Sequence, residues 1–398
     1  MTGNRSAFAI ATLLVVVGVW LWTMWSERVP GTGIAGEAAT AGLPRFTREL
    51  PLEDEATTSA NVSIGDVDGD GHPDLILARG RHWPVVDRVL LGDGAGAFPE
   101  AYDLGPAEDR TYAGLLADLD GDGDLDVVIS NDRPDPKRIY RNVGTGHFTE
   151  SGTFGDSAWS TRNASVADLD GDGAPDIIVA NRGPVANYVC RNDGAGAFPT
   201  CDAFSPESAT TITAADIDGD GDIDLVVPNR DGGPSRIYRN DGSGSFPEAD
   251  AIPFGPDDAT IRIAAVADLD GDGLLDIVTS DENRGVAIHY RQPDGAFGSA
   301  SPVGVGDKVP YALAIADLDR DGRPDIVVGF VGARPAVWFN GGARDAWTPV
   351  EFGDAEGAAY GFAIGDLDGD GRPDIAVARS DATNIVYFAD SPTGAPAR

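Results

Sequence analysis

The chain has 398 residues, with 65 acidic against 29 basic side chains and a formal net charge of −36. That balance excludes nucleic acid as a partner, because phosphate binding relies on clustered Lys and Arg. Hydrophobic residues make up 42% of the chain, which excludes wholesale disorder.

The first element is an uncharged stretch, Ser6 to Ser26, whose apolar part is long enough to cross ~30 Å of hydrocarbon as a helix. Arg5 ahead of it favours a cytoplasmic N-terminus, and Trp20, Trp22 and Trp25 suit the far membrane interface. Residues 1–26 read as a signal anchor, with a cleaved signal peptide as the alternative. Residues 27–44 are small and polar, as a flexible linker is. Both readings put the rest of the chain outside the cytoplasm, either anchored to the membrane or secreted.

A nine-residue pattern, Asp-x-Asp-x-Asp-Gly-x-x-Asp, then recurs seven times at intervals of 48 to 52 residues. Its aspartates are Asp66, Asp68, Asp70 and Asp74; Asp118, Asp120, Asp122 and Asp126; Asp168, Asp170, Asp172 and Asp176; Asp216, Asp218, Asp220 and Asp224. The last three sets are Asp268, Asp270, Asp272 and Asp276; Asp317, Asp319, Asp321 and Asp325; Asp366, Asp368, Asp370 and Asp374. An aromatic after a Gly-rich turn keeps the same period, at Phe46, Phe98, Phe148, Phe198, Phe246, Phe297 and Trp347. Each repeat holds short apolar runs bounded by turn residues, which read as strands. About four strands per repeat make one blade of a propeller. The expected fold class is therefore all-β: a seven-bladed β-propeller over residues 45–390, followed by a tail at 391–398. The last repeat stops at Val386-Tyr387-Phe388, so residues 45–51 are expected to supply its missing outer strand.

Three aspartates at alternate positions point carboxylates into one turn, the following Gly permits the turn, and the last Asp adds a fourth carboxylate. Hard oxygen donors in this number select Ca²⁺, and up to seven structural calcium ions are expected. An EF-hand is excluded, because position 12 is apolar or Thr (Leu77, Ile129, Val179, Val227, Thr279, Val328, Val377) where a Glu is required. Cys190 and Cys201 flank the turn Asn192–Gly196 and would face each other across a hairpin, so an oxidising compartment favours a disulfide.

The loop Asp168-Leu169-Asp170-Gly171-Asp172-Gly173-Ala174-Pro175-Asp176 and the turn Tyr238-Arg239-Asn240-Asp241-Gly242-Ser243-Gly244-Ser245-Phe246 resemble the FG-GAP or VCBS repeat family, and with it the calcium-binding propeller of integrin α subunits. The resemblance covers nearly all of residues 45–390. It implies the propeller and its calcium loops, and leaves activity open, since that family holds adhesins, lectin-like binders and lyase scaffolds. The Phe-Gly pair survives only at Phe154-Gly155, Phe254-Gly255 and Phe352-Gly353, and Arg320 replaces the position-4 Gly of the sixth loop.

Propeller topology puts the Asp loops and Gly-rich turns on one face. On that face Arg141, Arg191, Arg239 and Arg291 recur and read as structural. The other face carries the variable loops, where function usually sits. Its second-to-third connections carry Arg79, Arg133, Arg182, Arg230, Arg284, Arg334 and Arg379. Its blade-to-blade connections add Arg110, Arg162, Arg262 and Lys308, with Tyr112, Trp159, Tyr311 and Tyr360. Arginine captures carboxylate, sulfate or phosphate in bidentate fashion, and aromatics stack on sugars. Arg110, Tyr112, Trp159, Arg162, Arg262, Tyr311 and Tyr360 are thus the candidate ligand residues, for an anionic glycan or an acidic protein segment. The competing reading is that each arginine pairs locally with acids such as Asp132, Asp231 or Asp281. The leading function is a binding or adhesion module. A polysaccharide lyase on the same scaffold, with His82 or Tyr112 as base, and a structural subunit of an envelope assembly are the alternatives.

Overall fold

The computed structural model describes residue 40 and residues 42–390. The anchor or signal peptide expected at 1–26, most of the linker and the tail at 391–398 lie outside the described residues. Among the described residues, no helix is long and apolar enough to cross a membrane. Regular structure there is β, apart from a short 3-10 turn at Glu248–Asp250.

Five sheets have four antiparallel strands each, and a sixth has eight. One four-stranded unit runs Thr161–Ala167, Asp176–Asn181, Asn187–Arg191 and Thr200–Ser205, each strand pairing with the next. The eight-stranded sheet resolves into two such meanders. The first is Thr57–Gly65, Asp74–Arg79, Arg88–Leu91 and Glu100–Asp103. The second is Ala358–Gly365, Asp374–Ala382 and Ile385–Phe388, completed by Arg48–Pro51 from the other end of the chain. Thr57 and Thr58, opposite Ala382 and Ser380, join the two. The Asp390 N–H donates to the Arg45 carbonyl at 2.6 Å, just beyond the strand pair that Arg48–Pro51 makes with Ile385–Phe388.

The second strand of each unit holds a run of buried apolar residues, β-branched in most repeats, such as Ile177-Ile178-Val179, which have no exposed surface. Branched side chains fit a pleated surface covered on both faces. Each hydrophobic cluster draws on two successive repeats. One joins Ile76, Val89 and Leu104 to Val127, Ile129 and Tyr140; another joins Leu318, Val327 and Val337 to Ile375, Val377 and Tyr387. Burying each such side chain stabilises the repeat pair by about 1.5–3 kcal/mol, so no repeat keeps its core without a neighbour. First strands of successive repeats touch in order, and Ala358–Gly365 touches Thr57–Gly65, which returns the circuit to its start.

The first strands share an irregularity. Their ladders to the second strands skip Ala60, Tyr112, Arg162, Arg262, Tyr311 and Tyr360. Each skipped residue stands six positions before the first Asp of its repeat, and the fourth repeat has Thr210 there, ahead of its short strand Thr213–Ala215. A bulge leaves one residue unpaired and re-aims its side chain. Tyr112, Arg162, Arg262, Tyr311 and Tyr360 therefore stand within strands, and not in the connecting loops where the sequence pattern put them. Cys190 lies directly opposite Cys201 in the third unit, and the two are disulfide-bonded.

Candidate functional site

Each Asp loop closes on its own backbone. Asp66 accepts the Gly69 N–H at 2.8 Å on one carboxylate oxygen and the Gly71 N–H at 2.9 Å on the other, while Asp70 accepts the His72 N–H at 2.8 Å. These bonds turn the chain through φ 75° at Gly69 and 87° at Gly71, in the left-handed region. The sixth loop makes the same turn with a non-glycine residue, Arg320, at φ 64°.

Carboxylate oxygens of Asp66, Asp68 and Asp70 lie within 4.8 Å of one another, as do those of Asp118, Asp120 and Asp122 and of Asp168, Asp170 and Asp172. In the next two loops the convergent sets are Asp216, Asp218 and Asp224, and Asp268, Asp270 and Asp276. The position-9 aspartates are also structural acceptors, a role the sequence pattern did not reveal. Asp74 has no exposed surface and accepts the Val67 N–H at 2.7 Å and the Gly92 N–H at 2.8 Å. Burial pushes the carboxyls of Asp126, Asp224, Asp276 and Asp374 up to about 6 and that of Asp325 up to about 7, and the neighbouring loop carboxylates add to the rise. A carboxylate oxygen that accepts one N–H keeps a second lone pair. The donor set is hard, anionic and convergent, so it fits a hard dication such as Ca²⁺. Guanidinium groups flank the position-3 carboxylates: Arg141 on Asp120, Arg239 on Asp218 at 3.6 Å, Arg344 on Asp270 and Arg48 on Asp368.

The first strand runs from its skipped residue to its Asp loop, so these two features sit at opposite ends of it. At the far end the skipped residues meet. The Arg162 guanidinium lies 4.6 Å from the centre of the Tyr112 ring, and that of Arg262 lies 3.9 Å from Tyr311 and 5.6 Å from Tyr360. Tyr311 and Tyr360 pack edge to face at 5.3 Å. The loop after Asp74–Arg79 adds two residues. Arg81, which sequence reasoning did not single out, lies over the Tyr360 ring at 4.2 Å, and a His82 ring nitrogen sits 3.2 Å from the Tyr112 hydroxyl. Burial, then Arg81 and Arg162, holds His82 below the usual imidazole range.

Most of the arginines on this side have acidic partners. Arg162 pairs with Asp132 at 2.5 Å, Arg262 and Arg230 share Glu282 at 2.7 and 2.6 Å, and Arg182 pairs with Asp231 at 3.1 Å. Lys308 holds Glu351, Arg284 holds Asp258 and Asp281, and Arg79 and Arg379 reach Glu53 and Asp354 from within strands. Local pairing thus accounts for most of the repeated arginines, while Arg133 and Arg334 are exposed. Two expected ligand residues do not join the cluster. Arg110 pairs with Asp135 at 2.9 Å, and Trp159 stacks on Tyr188 with ring centres 4.0 Å apart.

No curated protein matches the chain. Among solved structures, BBS1N in complex with ARL6DN is similar with a TM-score of 0.61 at 13% identity, over 89% of this chain and 99% of that one. A lectin of Agrocybe aegerita that recognises non-reducing terminal N-acetylglucosamine is similar with a TM-score of 0.56 at 21% identity, over 82% of this chain and 87% of that one. At these identities the likeness is one of fold, the β-propeller. The FG-GAP-like repeat family matches residues 66–129, 118–179, 168–227, 216–279 and 268–328, one Asp loop handing over to the next. With the repeated four-stranded units and their Asp loops, this span of matches establishes that the chain belongs to the FG-GAP-like repeat family.

Proposed function

We propose that the chain is a seven-bladed, calcium-loaded propeller that acts as a binding module outside the cytoplasm. In this reading each Asp loop holds one Ca²⁺ as a structural ion, and the ligand, a glycan or a protein, docks on the rim opposite the loops. The Cys190–Cys201 disulfide supports an oxidising location. The observation that carries the reading is the convergence of Tyr112, Arg162, Arg262, Tyr311 and Tyr360 at one end of the first strands. The repeat scaffold does not need a long residue at this position, since Ala60 and Thr210 occupy it too. Large stacked aromatics and guanidinium groups gathered there form a recognition surface.

The test is a screen of the calcium-loaded full chain against glycans and envelope proteins, repeated with Tyr311→Ala and Tyr360→Ala, both only half-buried. Loss of a ligand in these variants, with the melting temperature kept, supports the reading. A ligand that ignores both substitutions and is lost on changing the Gly-rich turns would place binding on the other face and contradict it.

A further inference from the structure

We propose that the rim binds an acidic polysaccharide by its uronate carboxylates, with Arg81 as the guanidinium that captures them. The proposal rests on the binding-module reading and names its ligand class. Arg81 differs from its neighbours in charge balance. Arg162, Arg182, Arg230 and Arg262 each have an acidic partner, whereas Arg81 forms no ion pair among the described residues. Stacked over Tyr360, its planar fork keeps its N–H donors for a carboxylate, which it can hold through two parallel bonds.

The loop that presents Arg81 is built to hold it still. Arg81 itself has φ 30°, in the left-handed region that a non-glycine residue adopts at a cost. Gly80 before it donates to the Thr58 carbonyl at 2.7 Å, and a Cβ there would meet the Asp109 carbonyl oxygen at 2.4 Å. The Arg81 N–H donates to the Thr111 carbonyl at 3.2 Å, and the Val85 N–H to the Asp109 carbonyl at 3.2 Å. The guanidinium is therefore positioned before any ligand arrives, which lowers the ordering cost of binding.

The surroundings favour a sugar acid over a protein. Trp83, two residues on, is 70% exposed and offers an indole face to a sugar ring, and the exposed His82 offers a ring nitrogen to ring hydroxyls. The core of a protein interface is depleted of charge and more apolar than the surface around it. This rim is instead dense in charge, and the large exposed hydrophobics on it are Trp83, Val309 and Val331. The chain carries −36 overall, so an acidic polymer gains nothing from long-range attraction and must be held by local contacts of this kind.

The test is calorimetric titration of the calcium-loaded full chain with tetragalacturonate and with its methyl ester, at one fixed free calcium concentration. The acid form is expected to bind and the ester to bind at least tenfold more weakly. Arg81→Ala should weaken the acid form by about tenfold or more, Arg81→Lys should restore part of it, and Trp83→Ala should weaken acid and ester alike. Arg81→Ala gives up only its contact with Tyr360, so its melting temperature should fall by no more than a few degrees. Equal binding of acid and ester, or unchanged affinity in Arg81→Ala, would overturn uronate capture and leave the binding-module reading standing. So would failure of the acid to bind a chain that takes another ligand on the same rim.

Discussion

The Asn142 side-chain amide donates to the Val67 carbonyl at 2.6 Å, across the boundary between two repeats. The same amide donates to the Leu125 carbonyl at 3.1 Å. Val67 is in the Asp loop of the first repeat and Leu125 in that of the second, so one side chain ties consecutive loops together. Asn192 does the same to Leu119 and Pro175, Asn240 to Leu169 and Ile223, and Asn340 to Leu269 and Pro324. In the fifth repeat Arg291 takes this role toward Ile217.

Removing such a tie leaves buried carbonyls short of a donor, at roughly 1–3 kcal/mol. Asn142→Ala should therefore lower stability by about that much in urea denaturation, and Asn142→Asp by more, because a carboxylate would face two carbonyl oxygens. An unchanged unfolding midpoint in Asn142→Asp would contradict the role given to this amide.

Arg320 is held at φ 64° in a turn that the other loops make with glycine. The left-handed conformation costs a non-glycine residue roughly 1–2 kcal/mol, part of which glycine returns through its freer unfolded chain. Arg320→Gly should raise stability by up to about 1 kcal/mol, seen as a higher melting temperature. A lower one would mean that the arginine side chain contributes more than its backbone costs.

Asp87 is buried in the loop that carries Arg81 and accepts bonds from the Arg79 N–H at 2.7 Å and the Thr111 hydroxyl at 2.9 Å. Burial pushes its carboxyl up to about 7 from the ordinary 3.8. Between those pH values the folded chain keeps a proton that the unfolded chain has lost, so stability falls as pH rises through the window and levels off above it. Asp87→Asn keeps the acceptor for Arg79 and turns a donor toward Thr111. The stability of Asp87→Asn relative to the unaltered chain should increase from pH 4 to pH 8. A difference that stays flat or shrinks over that range would contradict the burial argument.

The fold was legible because its signals are local and repeated. The Asp pattern marks each turn between first and second strands, and the lone Phe46 ahead of it points to the strand that the N-terminal end adds to the last sheet. The rim was legible only in part. Tyr112, Arg162, Arg262, Tyr311 and Tyr360 share a fixed spacing to the next Asp, yet their chemistry differs from repeat to repeat, so residue type gives no cue to the bulge. Trp159 and Arg110 are close to the rim in sequence, but their side chains follow Tyr188 and Asp135 instead. Arg81 lies in a loop that no other repeat copies, and only the closing of the circuit sets it over Tyr360. The role of Asp74 and its equivalents as buried acceptors of N–H bonds was hidden for another reason: the ligand role expected of them calls for the same residue.

The measurement that bears most directly on the whole account is calcium stoichiometry with stability. The full chain would be stripped with chelator, dialysed against calcium, analysed for bound metal, and melted in both states. The expected result is a stoichiometry approaching seven ions per chain, one for each Asp loop, and a large cooperative fall in melting temperature on chelation. Each site held at about 100 times its Kd adds about 2.7 kcal/mol. A chain that retains no calcium and melts at the same temperature in excess chelator would contradict it.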